Sequence, residues 1–165
     1  MSLPDLAAVL WRQRDLLERL VYRLECEQLL LAAGRTRFLA VATAEVEAVL
    51  SEVRVLEVRR AAAAERAAAE VGAAAGASLE ELAAAAQPPW TSVLLEHREA
   101  LLALTRELAA LAETNRSLVT AGLRAVETTL AGLGARDGST SVGYDARGRS
   151  DLLQGAGSMV VDRAL

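Results

Sequence analysis

The chain has 165 residues, sized for one domain with a respectable core; 53% are hydrophobic but only 3% aromatic. Alanine supplies 35 of the hydrophobic residues, whereas a sheet protein of this length needs many more β-branched and aromatic side chains, so an all-α fold is expected. Eighteen arginines and no lysine stand against 22 acidic residues for a net charge of −4, with no basic stripe to collect phosphates, which argues against a nucleic-acid partner.

In chain order, Leu3, Leu10, Leu17, Leu24 and Leu31 recur every seven residues, with Leu6, Leu20 and Val21 beside them, the pattern of a coiled-coil-like seam. Pro4 suits a first turn and Asp5 complements the helix dipole there, so a first helix is predicted over 4–33. Asp15 and Arg19 stand at i, i+4 and are expected to pair on its surface. Gly34 interrupts the pattern as either a kink or a hairpin turn, and Thr36 is the expected cap for a restart.

A second helix over 36–71 carries the stripe Leu39, Ala42, Val46, Val49, Val53 and Leu56. Residues 61–86 contain 15 alanines, excellent helix formers that offer almost nothing to anchor against a core. Gly72 and Gly76 are expected to break this run. Ser78 followed by Glu81 then spells a capping box opening a short helix over 79–86, which the prolines at 88 and 89 stop.

With Thr91 or Ser92 as its cap, a long helix is predicted over 91–132. Its apolar positions are Leu94, Leu101, Leu104, Leu108 and Leu111, then Asn115, Leu118, Val119, Leu123, Val126, Leu130 and Leu133. The seven-residue spacing slips by one at Asn115, as it must on a straight helix, where a strict heptad seam drifts by about 20° per repeat. An asparagine in a leucine stripe either fixes register and partner choice or marks the edge where the stripe re-phases. The glycines at 132, 134 and 138 read as a helix stop. A helical domain is thus expected over 1–135, followed by a flexible tail over 136–165 too poor in large apolar residues to order itself.

Little in the sequence suggests chemistry. His97 is the only histidine and reads as a core-edge residue; Cys26 is the only cysteine, so neither a disulfide nor a zinc site can be assembled. A Glu-x-x-His pair on two helices and a phosphate loop ending in Gly-Lys are both ruled out by composition. No catalytic residue, metal or cofactor is expected. The opening residues lack a basic stretch followed by an apolar core, and the longest uncharged run, 82–95, is broken by two prolines. A cytoplasmic setting without membrane insertion is expected.

Three stretches together resemble the FlgN-type flagellar export chaperone family. They are LLLAAGRTRFLAVATAEVEAVLSEVRVLEVRRA at the junction of the first two helices, ETNRSLVTAGLRAVETTLAGLG in the last helix, and YDARGR from Tyr144 to Arg149. The departures are the alanine-rich 61–77 and the last sixteen residues. The resemblance implies an elongated antiparallel helical bundle or hairpin that binds hook-filament junction proteins of the FlgK and FlgL type through their C-terminal helical segments. It implies that such a chaperone prevents their premature assembly and passes them to the type III export gate, with gate or ATPase components as further partners. It places cargo binding on Asn115, Leu118, Val119, Leu123, Val126, Leu130 and Leu133. The Leu3 to Leu31 heptads leave a coiled-coil adaptor or scaffold without export role as the alternative, and they leave the oligomeric state open.

Overall fold

The computed structural model describes residues 2–137, with side chains as far as residue 133. Its regular structure is α1 (Ser2–Ala32), a 3-10 turn (Thr36–Phe38), α2 (Leu39–Val71), α3 (Leu79–Ala85) and α4 (Trp90–Asp137), with no strand among the described residues. The fold is the all-α one expected. By internal contacts the chain divides into two compact units, Met1–Leu118 and Val119–Leu165.

Gly34 is a hairpin turn. It takes φ +64°, a left-handed conformation that glycine adopts without penalty. Around it the Arg35 amide donates to the Leu30 carbonyl (2.9 Å) and the Gly34 amide to the Leu31 carbonyl (3.1 Å), the paired bonds of a Schellman motif. α2 then runs back along α1. Side-chain contacts rise in number along one helix as they fall along the other: the Ser2 amide to Glu70 (2.6 Å), Gln13 to Glu57 (3.1 Å), Arg19 to Glu52 (3.3 Å), Arg23 to Glu45 (2.8 Å), and the Thr43 hydroxyl to Glu27 (2.8 Å). These exposed pairs are worth at most about 1 kcal/mol each, so they set the antiparallel register more than the stability. Arg19, spaced for Asp15, is drawn instead to Glu52 on the facing helix.

The first part of α4 packs in the same sense as α1 and therefore antiparallel to α2. Trp11 meets His97, Leu20 shares a cluster with Leu108, and the Leu24 carbonyl accepts from Asn115. Two apolar clusters hold this unit together. One, around Leu20, Val46 and Val49, uses the predicted α2 stripe. The other joins Leu3, Leu6, Leu10, Leu82 and Leu94 to Ala63, Ala67, Ala68, Ala83 and Ala86.

That second cluster corrects the expectation that the alanine-rich stretch is weakly anchored. Ala63, Ala67 and Ala68 are among the most buried residues of the protein. Their small side chains let α2 come close to the leucines of α1, so they contribute through proximity and dispersion rather than area. Along α1, burial follows Leu3, Leu6, Leu10, Leu16 and Leu20, while Leu17, Leu24 and Leu31 are half-buried. A straight helix packed against two neighbours drifts off the strict heptad.

Three cap readings are corrected. The 3-10 turn carries the chain into α2, whose N-cap is Phe38 without a side-chain bond, so Thr36 does not cap it. α4 starts at Trp90, whose amide bonds the Gln87 carbonyl (3.0 Å), placing Thr91 and Ser92 inside the first turn. There their hydroxyls donate to the Ala86 (2.7 Å) and Pro89 (2.9 Å) carbonyls instead of accepting from helix amides. At the other end α4 continues through Gly132 to Asp137. Glycine inside a helix costs about 1 kcal/mol relative to alanine but does not break it when no proline follows. Gly72 does end α2, in a left-handed turn, and the Ser78–Glu81 capping box is formed as expected. The tail expected over 136–165 lies outside the described residues except for its first two, which continue α4.

Candidate functional site

Within the second unit, α4 presents Val119, Leu123, Val126, Leu130 and Leu133 at alternating steps of four and three, one apolar stripe along the helix. Val119 is 43% exposed, Leu123 60%, Val126 56% and Leu130 57%. Scattered exposed leucines are ordinary, but four aliphatic residues in one register over three turns form a contiguous patch of the kind that meets a partner. Leu133 is half-buried. Beside the stripe, the Thr128 and Thr129 hydroxyls donate to the Arg124 and Ala125 carbonyls one turn back (2.9 and 2.8 Å).

The two earliest residues of the expected binding set belong to the first unit. Asn115 is buried, and its Nδ2 donates both to the Leu24 carbonyl (3.0 Å) and to a Glu27 carboxylate oxygen (3.1 Å). Its Oδ1 is buried without a partner. Leu118 is half-buried. So the polar residue set into the leucine stripe locks α4 onto α1, and the change from core to exposed face falls just after it. The sequence showed the odd residue; its partner, 91 positions away, left no local signal.

His97 is 1% exposed and packs edge-to-face on Trp11, ring centroids 4.9 Å apart. The Arg14 guanidinium lies 4.5 Å over the same Trp11 ring and 3.7 Å from Glu96. Burial holds the imidazole below its ordinary pKa, Arg14 adds to that, and Glu96 pulls the other way. Its Nδ1 has no hydrogen-bond partner, and with burial favouring the uncharged ring His97 packs as a neutral core residue. Among the described residues no group of three or more His, Cys, Asp or Glu side chains could hold a metal, and no helix is long and apolar enough to cross a membrane.

A second surface feature escaped sequence reasoning. Between α1 and α2 lies a groove of about 290 Å³, lined by Arg12 and Leu16 on one side and by Ala48, Ser51, Val55 and Arg59 on the other. It exists because α2 has small side chains at 48 and 51, and only the pairing of the two helices reveals it.

A bundle of long helices in one unit and an exposed aliphatic stripe in the other define a helical binding protein. Set against known families, the chain matches the one described as FlgN protein over residues 1–151, which includes the alanine-rich segment that had looked like a departure. The chain belongs to this family, the cytoplasmic, non-enzymatic flagellar export chaperones of the hook-associated proteins FlgK and FlgL. Comparison with curated proteins and with solved structures finds no match.

Proposed function

We propose that the hook-associated proteins dock on the face of α4 from Leu118 to Leu133, each laying a C-terminal helical segment along Val119, Leu123, Val126 and Leu130. The exposed stripe carries this reading. Its spacing of four and three is the one at which a helix supplied by a partner interleaves its own apolar residues. Asn115 serves as the anchor at the start of this face, holding α4 in register through Leu24 and Glu27. Covering the cargo's helical segment keeps it from assembling before export. The same segment is then released to components of the export gate or its ATPase, and release requires binding of moderate strength. Burying what the four side chains still expose is worth about 2 kcal/mol each before the cost of association is subtracted, which fits a reversible grip.

The test is calorimetry of the full chain with a purified C-terminal segment of FlgK or FlgL. Val119→Asp, Leu123→Asp and Val126→Asp together are expected to abolish binding while circular dichroism retains its helix signal. Undiminished binding by the triple variant refutes the assignment, and so does loss of the whole fold, which identifies the face as core.

A further inference from the structure

We propose that the groove between α1 and α2 is a second cargo-docking surface, taking a helical segment of the hook-associated protein that presents carboxylates beside its apolar face. In taking a hook-associated protein as the partner, this inference rests on the function stated above. It concerns different residues in a different unit of the chain.

The floor of the groove is apolar. Leu16 and Leu56 form its base, and Val55 and Ala48 stand exposed along its wall. Residues 48, 51, 55 and 59 follow one another at steps of three and four along α2, so the wall runs about three turns, or roughly 16 Å, the contact length of a short docked helix. The small side chains at Ala48 and Ser51 leave the depression into which a partner's leucine or phenylalanine would fit.

The rim is cationic on a protein whose net charge is −4. Arg12 and Arg59 both line the groove, and among the described residues neither has an ion-pair or hydrogen-bond partner. The carboxylate that also lines it, Glu52, is engaged by Arg19. The other arginines of α1 are matched by carboxylates, Arg19 and Arg23 by Glu52 and Glu45 of α2 and Arg14 by Glu96 of α4. Two unmatched guanidiniums flanking an apolar floor suit a segment bearing Asp or Glu at its edges, since a guanidinium binds a carboxylate through two parallel hydrogen bonds.

Area points the same way. The four exposed residues of the α4 stripe leave on the order of 400 Å² uncovered, about half of the ~800 Å² per partner that a specific complex of standard size buries. The stripe thus supplies about half of a standard contact before its polar rim is counted, and the groove adds a second apolar contact with both shape and charge.

The experiment compares intact FlgK or FlgL with its isolated C-terminal segment as ligands for the full-length chain. Arg12→Glu with Arg59→Glu reverses the charge of the rim, and Ala48→Arg fills the depression along the wall while adding positive charge. All three positions are exposed, so the fold is retained. Each variant is expected to weaken binding of the intact cargo roughly tenfold, with affinity for the isolated segment unchanged. Wild-type affinity for the intact cargo is expected to fall between about 0.05 and 0.5 M salt, and the double charge variant to lose or reverse that dependence. Intact cargo bound as tightly by both variants as by wild type overturns the proposal. Equal weakening for the intact cargo and the isolated segment also overturns it, because the segment would then occupy this groove. The Val119, Leu123 and Val126 variant reports on the α4 face separately, through the isolated segment alone, so failure of either assignment is told apart from failure of the other.

Discussion

Replacing Asn115 separates what its amide contributes from what it costs. In Asn115→Ala the bond to the Leu24 carbonyl is lost, worth about 1 kcal/mol net, and so is the bond to the half-buried Glu27 carboxylate, worth about 1.5 kcal/mol at that degree of exposure. Against this, the buried Oδ1 that has no partner disappears, which returns about 1 kcal/mol or more. Leu24 and Glu27 are not stranded, because the former lies inside α1 and the latter still accepts from Thr43. The alanine variant should therefore lose about 1–2 kcal/mol, a drop in Tm of roughly 2–8 °C for a chain of this size. Asn115→Leu loses the same bonds and the same unpaired oxygen but fills the space with apolar volume, so it should melt at or slightly above the wild type. Thermal unfolding followed by circular dichroism reads both. If the leucine variant melts well below wild type, the hydrogen bonds dominate and the reasoning about the unpaired oxygen fails.

Three other changes test the packing. Ala67→Leu is expected to cost about 1–3 kcal/mol by overfilling the cluster around Leu6 and Leu82, whereas Ala69→Leu, exposed two residues on, should melt like wild type; equal melting of the two would remove the alanines from the core. His97 takes a proton more readily in the unfolded chain than in the fold, so the stability it supplies is complete above the unfolded value near 6.5 and declines as pH falls below it. The wild-type Tm should thus drop between about pH 7 and 5.5, a range containing no other histidine titration, and His97→Gln should flatten that slope; parallel curves for the two proteins would contradict the assignment. Gly122 has a helical backbone with open space where a side chain would begin, so Gly122→Ala should stabilise its helix by about 0.5–1 kcal/mol, seen as slower amide exchange over residues 119–130.

Helix positions were largely legible in the sequence because glycine, proline and one capping box punctuate it. Gly34, Gly72 and the Ser78–Glu81 pair each act through backbone conformation or a bond spanning only a few residues, which neighbouring letters encode. The α2 stripe was legible because valines and a leucine contrast with the arginines and glutamates around them. The alanine wall was not, because alanine has almost the same hydropathic weight whether it faces solvent or a core. Thr91 and Ser92 look like caps from composition, yet the chain at Gln87 and Pro89 already starts the helix one residue earlier. Of the candidate face, the spacing from Val119 to Leu133 was visible and so was the interruption at Asn115. The groove between Arg12 and Arg59 was not, since neither helix carries it alone.

The alanine cluster has one further consequence. A buried leucine gives up about 0.5–1 kcal/mol of rotamer freedom on folding, whereas Ala63, Ala67, Ala68, Ala83 and Ala86 have no side-chain torsion to give up. Their contacts are made by backbone placement alone. A leucine that loses a neighbour can swing into another rotamer and refill the gap, but methyl groups fixed to the chain have no second position. At that end of the hairpin only the facing leucines can adjust by rotamer, and a gap on the alanine side closes only if the α2 backbone itself shifts toward α1.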